Sequence, residues 1–280
     1  MKKISLLSGF LFMGMVAFAQ NNSTNLDQVG DANILDVTQV GNANTSKIIQ
    51  EGSENSLMTD QNGGTNSSDA SAVGSLNTVG ISQVGAGNTS TNMIQANRNE
   101  TTLSQSGNAN TANQELNSDD SRSRVFQEGD NNLAVQQQIG AGNNTAIIDV
   151  VGSNNRTTQS QDGENHGAFT NVQGSDNGVF ADQNGTSNNF GAAIEGDRNT
   201  INVGQETDNN FAGGDGDPQL IQIGNDNLIV IDQNGADNAS ASRQEGDMNI
   251  NINSQTGIGN KHISNQTGNA NSATVTQRDN

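Results

Sequence analysis

The most regularly spaced reactive side chains in this chain are amides. They belong to a six-residue pattern, Q-x-G-x-x-N, which reads QVGDAN at residues 28–33 and QVGNAN at residues 39–44. Fourteen copies of the pattern are complete. A side-chain amide both donates and accepts hydrogen bonds, so amides repeated in register can bond to one another in a continuous ladder. The pattern therefore indicates structural hydrogen bonding.

The other residue types that carry chemistry show no comparable arrangement. His166 and His262 are the only histidines, and neither has a metal-ligand pattern or a nucleophile beside it. The acidic segment 213–217 is similar to glycine- and aspartate-rich calcium repeats but occurs once, so an ordinary loop is favoured and calcium binding is left open. Cysteine is absent, which excludes disulfides and thiol chemistry. We expect no enzyme activity, no metal site and no cofactor.

Composition excludes several partners. The formal net charge of -19 disfavours binding to nucleic acid, because phosphates repel an acidic surface. Aromatic residues make up only 3% of the chain and Gly numbers 33, which taken alone would suggest disorder. The strict register argues against disorder, since an unfolded chain needs no period.

The spacing predicts strands joined by tight turns. Five residues separate the Asn of one copy from the Gln of the next, which suits one short strand, and the Gly inside the pattern suits a turn with unusual backbone angles. Alternation then places Asn33, Leu35, Val37 and Gln39 on one inner face. Charged residues fall mostly at the other positions, and Asp149, beside a one-residue insertion, is an expected exception.

The copies that lack Gln reveal a longer unit. The replaced positions are Ala72, Ile94 and Leu116, and then Val150, Val172 and Ile194, and within each set they fall at every second copy of the pattern. Replacement at alternate copies predicts a 22-residue coil with two strands and two turns. Apolar residues would replace Gln in vertical runs because a lone buried amide among them would lack partners. We therefore predict an all-β fold, a β-solenoid of amyloid-type stacked strand-turn-strand coils, ~55 Å long at the usual strand spacing.

The predicted ladder consists of the Gln, Gly and Asn of each complete copy. These residues are Gln28, Gly30, Asn33, Gln39, Gly41, Asn44, Gln50, Gly52, Asn55, Gln61, Gly63, Asn66, Gln83, Gly85, Asn88, Gln105, Gly107, Asn110, Gln127, Gly129, Asn132, Gln138, Gly140, Asn143, Gln183, Gly185, Asn188, Gln222, Gly224, Asn227, Gln233, Gly235, Asn238, Gln244, Gly246, Asn249, Gln255, Gly257, Asn260, Gln266, Gly268 and Asn271.

Three regions precede or interrupt the repeats. Residues 1–19 have the basic start, apolar run and small-x-small ending of a signal peptide, so we expect a secreted chain that begins at Gln20 and carries no membrane-spanning segment. A short polar segment, 20–27, follows, and the repeat solenoid is predicted over 28–280. An inserted loop near 211–219 holds the only proline.

The repeats run from residue 28 to the last residue without a polar cap at either end. Solenoids that remain soluble monomers need caps, and uncapped strand edges pair with other chains. We therefore expect copies to polymerise head to tail.

The pattern resembles the curlin repeat of curli subunits, on residues such as Gln266, Gly268, Asn271, Ala273 and Gln277. The resemblance implies a subunit of an extracellular, cell-surface amyloid fibre that serves adhesion and the biofilm matrix. It further implies a fibre of this chain itself, a second curlin-like subunit, and curli-type secretion and assembly factors as partners.

Two other functions stay open at this point. A monomeric secreted β-solenoid could bind a glycan or an ice surface, although the outward residues do not form the regular Thr array that ice binding needs. A β-helical polysaccharide-degrading enzyme would need a carboxylate or Arg constellation over one groove, and none breaks the period. Amyloid-dye binding and activity on polysaccharide would separate the three.

Overall fold

The computed structural model of the chain describes residues 19–213 and 220–279. Every regular element within these residues is a β-strand. The 25 strands are β1 (Ala19–Gln20), β2 (Ser23–Val29), β3 (Ile34–Asn42), β4 (Thr45–Ser53), β5 (Ser56–Gly64), β6 (Ser67–Ser75), β7 (Thr78–Ala86), β8 (Thr89–Gln95), β9 (Glu100–Asn108), β10 (Thr111–Asn117), β11 (Arg122–Glu128), β12 (Leu133–Gly142), β13 (Thr145–Ser153), β14 (Arg156–Glu164), β15 (Gly167–Ser175), β16 (Gly178–Thr186), β17 (Asn189–Glu195), β18 (Thr200–Glu206), β19 (Phe211–Ala212), β20 (Leu220–Ile223), β21 (Leu228–Asn234), β22 (Ala239–Glu245), β23 (Ile250–Thr256), β24 (Lys261–Thr267) and β25 (Ser272–Arg278). None of the described residues forms a helix long and apolar enough to cross a membrane.

The strands form two parallel sheets that face each other along the column. Sheet 1 contains the odd-numbered strands from β1 to β17 together with β19, β20, β22 and β24. Sheet 2 contains the even-numbered strands from β2 to β18 together with β21, β23 and β25. Each strand pairs with the strand one coil away, so that Gln61 lies between Gln39 of the preceding coil and Gln83 of the following coil. The predicted β-solenoid with 22-residue coils is confirmed.

A thin core fills the space between the sheets. Burial alternates along each strand, as in β13, where Ala146, Ile148 and Val150 are fully buried. Branched and small side chains dominate because two strands joined by tight turns leave little room, and Phe190 is the largest buried side chain of the described residues. The core is therefore one continuous, narrow column of short side chains.

The polar segment that we set apart at 20–27 contributes to the column. β2 begins at Ser23 and pairs with β4, and the backbone amide of Asn44 donates to Asn22 Oδ1 at 2.9 Å. The boundary predicted at residue 28 thus lies inside a strand. The signal peptide remains a prediction, because residues 1–18 lie outside the described residues.

The six-residue insertion interrupts a strand. Phe190 pairs with Ala212, and the pairing resumes between Ala192 and Leu220 in the same sheet. β19 and β20 are thus the two parts of one strand, and Phe211 and Ala212 belong to it rather than to the loop predicted near 211–219. Residues 214–219, and with them the question of calcium binding, lie outside the described residues.

Candidate functional site: amide ladders and end faces

Glutamine amides form columns along the axis of the solenoid. Gln61 Nε2 donates to Gln83 Oε1 at 2.8 Å and to the carbonyl oxygen of Thr45, on the facing strand, at 2.9 Å. Each Gln in a column therefore joins two coils and also ties the two sheets together. The bonded runs are Gln28–Gln50, Gln39–Gln127, Gln138–Gln277 and Gln222–Gln266. They include Gln161, Gln205 and Gln277, whose copies of the pattern are incomplete.

Apolar side chains replace glutamine in two vertical runs. In sheet 2, Ile94 lies between Ala72 and Leu116. In sheet 1, Val172 lies between Val150 and Ile194. All six side chains are at most 2% exposed. Within each run the apolar side chains lie beside one another. The Gln columns are therefore interrupted without placing a buried amide between two apolar neighbours.

Asparagine forms a second type of column at the corners. Asn66 donates its backbone amide to Asn44 Oδ1 at 3.0 Å, and Asn44 Nδ2 donates to the carbonyl oxygen of Gly63 at 3.0 Å. The Asn side chain thus satisfies the turn of the neighbouring coil, where backbone groups would otherwise be buried without partners.

Each turn that contains a ladder glycine also holds a second residue with positive φ. The predicted ladder glycines all have φ between +102° and +130°. A Cβ added at Gly107 would overlap the carbonyl oxygen of Gly129 in the next coil, so glycine is required by packing as well as by conformation. The second left-handed residue comes directly before the Asn, and here the chain tolerates many residue types, for example Ala32 (φ +54°) and Arg98 (φ +56°).

The one-residue insertion requires a correction at Asn143. We placed Asn143 in the ladder, but its side chain is exposed, with φ +55°, and Asn144 is fully buried in its place. The extra residue lies in the turn, where pairing shifts between Ile139 and Gly142. The phase of β13 shifts with it, so Asp149, expected to point inward, points outward and forms an ion pair with Arg124 at 2.9 Å.

His166 occupies an asparagine position of the column. Its backbone amide donates to Asn144 Oδ1 at 3.0 Å, and its Nδ1 accepts the backbone amide of Asn188 at 3.2 Å. Its Nε2 lies 3.2 Å from the carbonyl oxygen of Asp162. Burial lowers the pKa of this imidazole, although the carbonyl oxygen and the charge of Asp162 oppose the shift. Sequence reasoning assigned this histidine no role, yet its place in the pattern marked it as a substitute for Asn.

A third amide column was missed by the sequence reasoning. Asn92 donates to Gln114 Oε1 at 3.0 Å, Gln114 to Gln136 at 3.2 Å, and Gln136 to Gln159 at 3.1 Å. These side chains are at most 1% exposed and lie two residues before the position of the main column in sheet 2. Their hydroxyl partners on the facing sheet are Thr101, Ser123 and Thr170. The signal was available, because these residues recur at the spacing of one coil over four successive coils.

Outward charges pair along the axis. Arg98 Nε lies 2.6 Å from Asp120 and Arg198 Nε 2.7 Å from Asp226, and in each pair the two residues occupy the same turn position one coil apart. The hydrogen bond from Arg98 lowers the pKa of the Asp120 carboxyl. These pairs are exposed, so they help to define the register of the coils and add little stability. Among the described residues no group of His, Cys, Asp or Glu is arranged to hold a metal ion.

The two end faces of the column differ from its middle. In β25 the inward side chains Ala273, Val275 and Gln277 are half-buried, as are Leu35 and Val37 in β3 at the opposite end. β25 pairs only with β23, and β24 only with β22, among the described residues. Each face therefore presents a strand edge and a strip of core side chains.

These features define a repeat protein of the β-solenoid class, in which amide ladders extend along the column from coil to coil. More particularly, residues 30–58 and 52–85 match the family of the curlin associated repeat. The resemblance seen in the sequence is thereby confirmed. The same hydrogen bonds continue far beyond the matched residues, as between Gln244 and Gln266 at 2.7 Å. No curated protein matches the chain.

Proposed function

We propose that this chain is the structural subunit of an extracellular, curli-like amyloid fibre in which copies add end to end. The observation that carries the proposal is the pair of half-buried end faces, each lined by the same inward strip that is fully buried in the middle of the column. Exposed edges of parallel strands template the addition of another chain. The family of residues 30–85 supports the same role.

The family match also supports a cellular role. A fibre of this kind would sit at the cell surface and serve adhesion and the biofilm matrix, with a second curlin-like subunit and curli-type secretion factors assisting export and nucleation. No catalytic step is part of this proposal. A strain that lacks the chain should lose surface fibres and adhere less, and unchanged fibres and adhesion would contradict the cellular role.

The assembly itself is tested with the chain that begins at Gln20. It should bind amyloid dyes and give cross-β diffraction with a ~4.8 Å meridional spacing. A stable monomer at high concentration would refute the proposal, and such a monomer would next be tested for binding to glycans or ice.

Matched variants test whether the end face is the contact. Val275→Lys places a charge on the inward strip of β25, which is half-buried in the free chain and would become fully buried in a fibre. Thr274→Lys places the same charge on the outward side of the same strand, where it stays exposed. Val275→Lys should prevent growth from this end, whereas Thr274→Lys should elongate like the wild type. Equal elongation of the two variants would show that copies join elsewhere.

A further inference from the structure

The two halves of each coil are equivalent. In sheet 2, Gln50 donates to the carbonyl oxygen of Ile34 at 2.9 Å, and in sheet 1, Gln61 donates to that of Thr45, also at 2.9 Å. Each acceptor precedes its donor by the same separation along the chain. The Asn–Gly bonds repeat in the same way in both halves. A half turn about the column axis therefore superimposes the hydrogen-bond pattern of one sheet on that of the other.

The number of complete half-coils in the described part of the chain is odd. β2 to β25, with β19 and β20 counted as one interrupted strand, make 23 strands that alternate between the sheets. The first full-length strand, β2, and the last strand, β25, consequently lie in the same sheet, whereas the two-residue β1 covers only one end of β3. The half-coil that would follow β25 lies in the other sheet, directly on β24.

We propose that successive copies in the fibre are related by a half turn about the axis, so that β2 of one copy pairs with β24 of its neighbour and β3 pairs with β25. This inference rests on the proposed end-to-end fibre and specifies its joint. Sheet 1 of one copy then continues as sheet 2 of the next, and each copy advances the fibre by ~55 Å, or 23 half-coils at ~4.8 Å per full coil.

Stacking without the half turn would leave a gap. If β2 paired with β25, one strand would be missing between β24 and the β3 of the next copy. β1 covers only the Gly41–Asn42 end of β3, so most of the two edges would lose their backbone partners. Backbone groups that are buried without partners cost free energy at every such joint.

Side-chain chemistry at the joint also favours the half turn. With it, the inward pairs are Ala273 on Leu35, Val275 on Val37, His262 on Thr24, Ser264 on Leu26, Gln266 on Gln28 and Gln277 on Gln39. Three of the four pairs other than Gln match in polarity, and both Gln columns continue across the joint. Without the half turn, β25 would lie on β2, which sets Ala273 against Thr24 and Val275 against Leu26, so that one of these two pairs is mismatched. The inward side chains of β24 would then meet no strand of the next copy, and only the Gln column through Gln277 and Gln28 would continue.

One atom at the end face supports the same joint. His262 Nε2 is buried and has no hydrogen-bond partner among the described residues. A buried polar atom without a partner is costly, and the half turn would stack this imidazole on the hydroxyl-bearing Thr24 of the next copy.

Paired cysteines test the arrangement directly, because the natural chain has none. Asn265, Asp27 and Thr276 are exposed and point outward near the ends of the column. In the half-turn joint Asn265 is the neighbour of Asp27 of the next copy, at the ~4.8 Å strand spacing that a disulfide can bridge. Without the half turn, Thr276 takes that place and Asn265 lies on the opposite face.

Fibres of the chain 20–280 are assembled under reducing conditions, checked for dye binding and cross-β diffraction, and then oxidised. The Asn265→Cys, Asp27→Cys chain should become a covalent multimer, whereas the Thr276→Cys, Asp27→Cys chain should remain monomeric on a denaturing gel. The single Asn265→Cys chain should give no dimers, since dimers would mean that like ends meet.

Each result decides the matter. Covalent multimers of the Thr276→Cys, Asp27→Cys chain would overturn the half-turn joint while leaving the fibre intact. The absence of multimers from both double variants would do the same. Failure of the wild-type chain to form cross-β fibres would instead overturn the proposed function and with it the joint. Electron cryomicroscopy of wild-type fibres gives a second readout that needs no substitution. The interrupted strand β19–β20 should appear every ~55 Å on alternating sides of the fibre, and its recurrence on one side would refute the half turn.

Discussion

Lowering the pH should weaken the column locally at His166. The bond from the Asn188 backbone amide to His166 Nδ1 requires an unprotonated Nδ1, and Nε2 then carries the proton toward the carbonyl oxygen of Asp162. Protonation would place a second N–H at Nδ1, directly facing the amide of Asn188. The side chain is only 2% exposed, so water cannot readily rescue either group.

The sign of the pH effect follows from the direction of the pKa shift. Burial lowers the pKa of His166 below its ordinary value of 6.5, so the unfolded state binds the proton more readily than the folded state. The stability that the neutral imidazole contributes is complete above pH 6.5 and is lost progressively as the pH falls toward the folded-state pKa. Two buried donors left facing each other cost about 1–3 kcal/mol, or roughly a 5- to 150-fold increase in local opening.

Hydrogen exchange at single amides measures this opening. The Asn188 amide should lose protection between pH ~7.5 and pH ~5, relative to the Asn210 amide, which donates to Asn188 Oδ1 in the preceding coil at 2.8 Å. Taking the ratio removes the intrinsic pH dependence of exchange. His166→Asn restores the residue found elsewhere in the column and should make the ratio independent of pH. A constant ratio in the wild type would refute the reasoning.

Three further substitutions test the ladder through the guanidinium midpoint of the assembled chain. Gly107→Ala should destabilise by roughly 2–5 kcal/mol, because φ is +118° and the new Cβ overlaps Gly129, whereas Gly80→Ala, with open space, should change stability by less than about 1 kcal/mol. Ile94→Gln should cost about 1–3 kcal/mol by burying an amide between apolar neighbours, and a neutral effect would contradict the account of the apolar runs. Gln105→Leu should cost a similar amount, since the glutamine of the preceding coil loses its acceptor; a more stable variant would show that the ladder does not stabilise the column.

The fold could be predicted from the sequence because the repeat is short and because the positions that depart from the repeat pattern are themselves periodic. Val150, Val172 and Ile194 depart from the pattern at every second copy, and residues at that spacing are direct neighbours in the structure. In an ordinary domain the residues that meet across the core have no fixed separation. In a stack of coils, residues that are neighbours in successive coils are separated by nearly the same number of residues along the whole chain.

The position of the one-residue insertion could not be read from the pattern alone. The stretch from Gly140 offers both Asn143 and Asn144, and Asn143 completes Q-x-G-x-x-N. Only the phase of the following strand decides between them. Choosing Asn143 turned Asp149 inward, and a buried carboxylate without a partner is costly, so this exception was itself a sign that the phase was wrong.

The second left-handed residue of the turns carries no sequence signal. Glycine marks the first, because its missing Cβ is needed both for φ and for the close approach of the next coil. The second faces solvent, and positions such as Arg98, Met248 and Leu76 accept the conformational cost because the ladder bonds on both sides hold the turn. A conformation imposed by neighbouring coils cannot be inferred from the residue that adopts it.

The direction of the ladder bonds determines which ends can meet. Every Gln column donates toward the C-terminal coil, as from Gln255 to Gln277 at 2.8 Å, whereas the Asn-to-Asn bonds donate in the opposite direction, as from Asn271 to Asn249 at 2.8 Å. The C-terminal face therefore presents Gln donors and Asn acceptors, and the N-terminal face presents their complements. Two like faces would set donor against donor in one type of column and acceptor against acceptor in the other, in the buried centre of the joint where neither can turn to water. Unlike faces would satisfy both columns at once, so in the proposed fibre the bonds that hold one coil to the next favour head-to-tail addition.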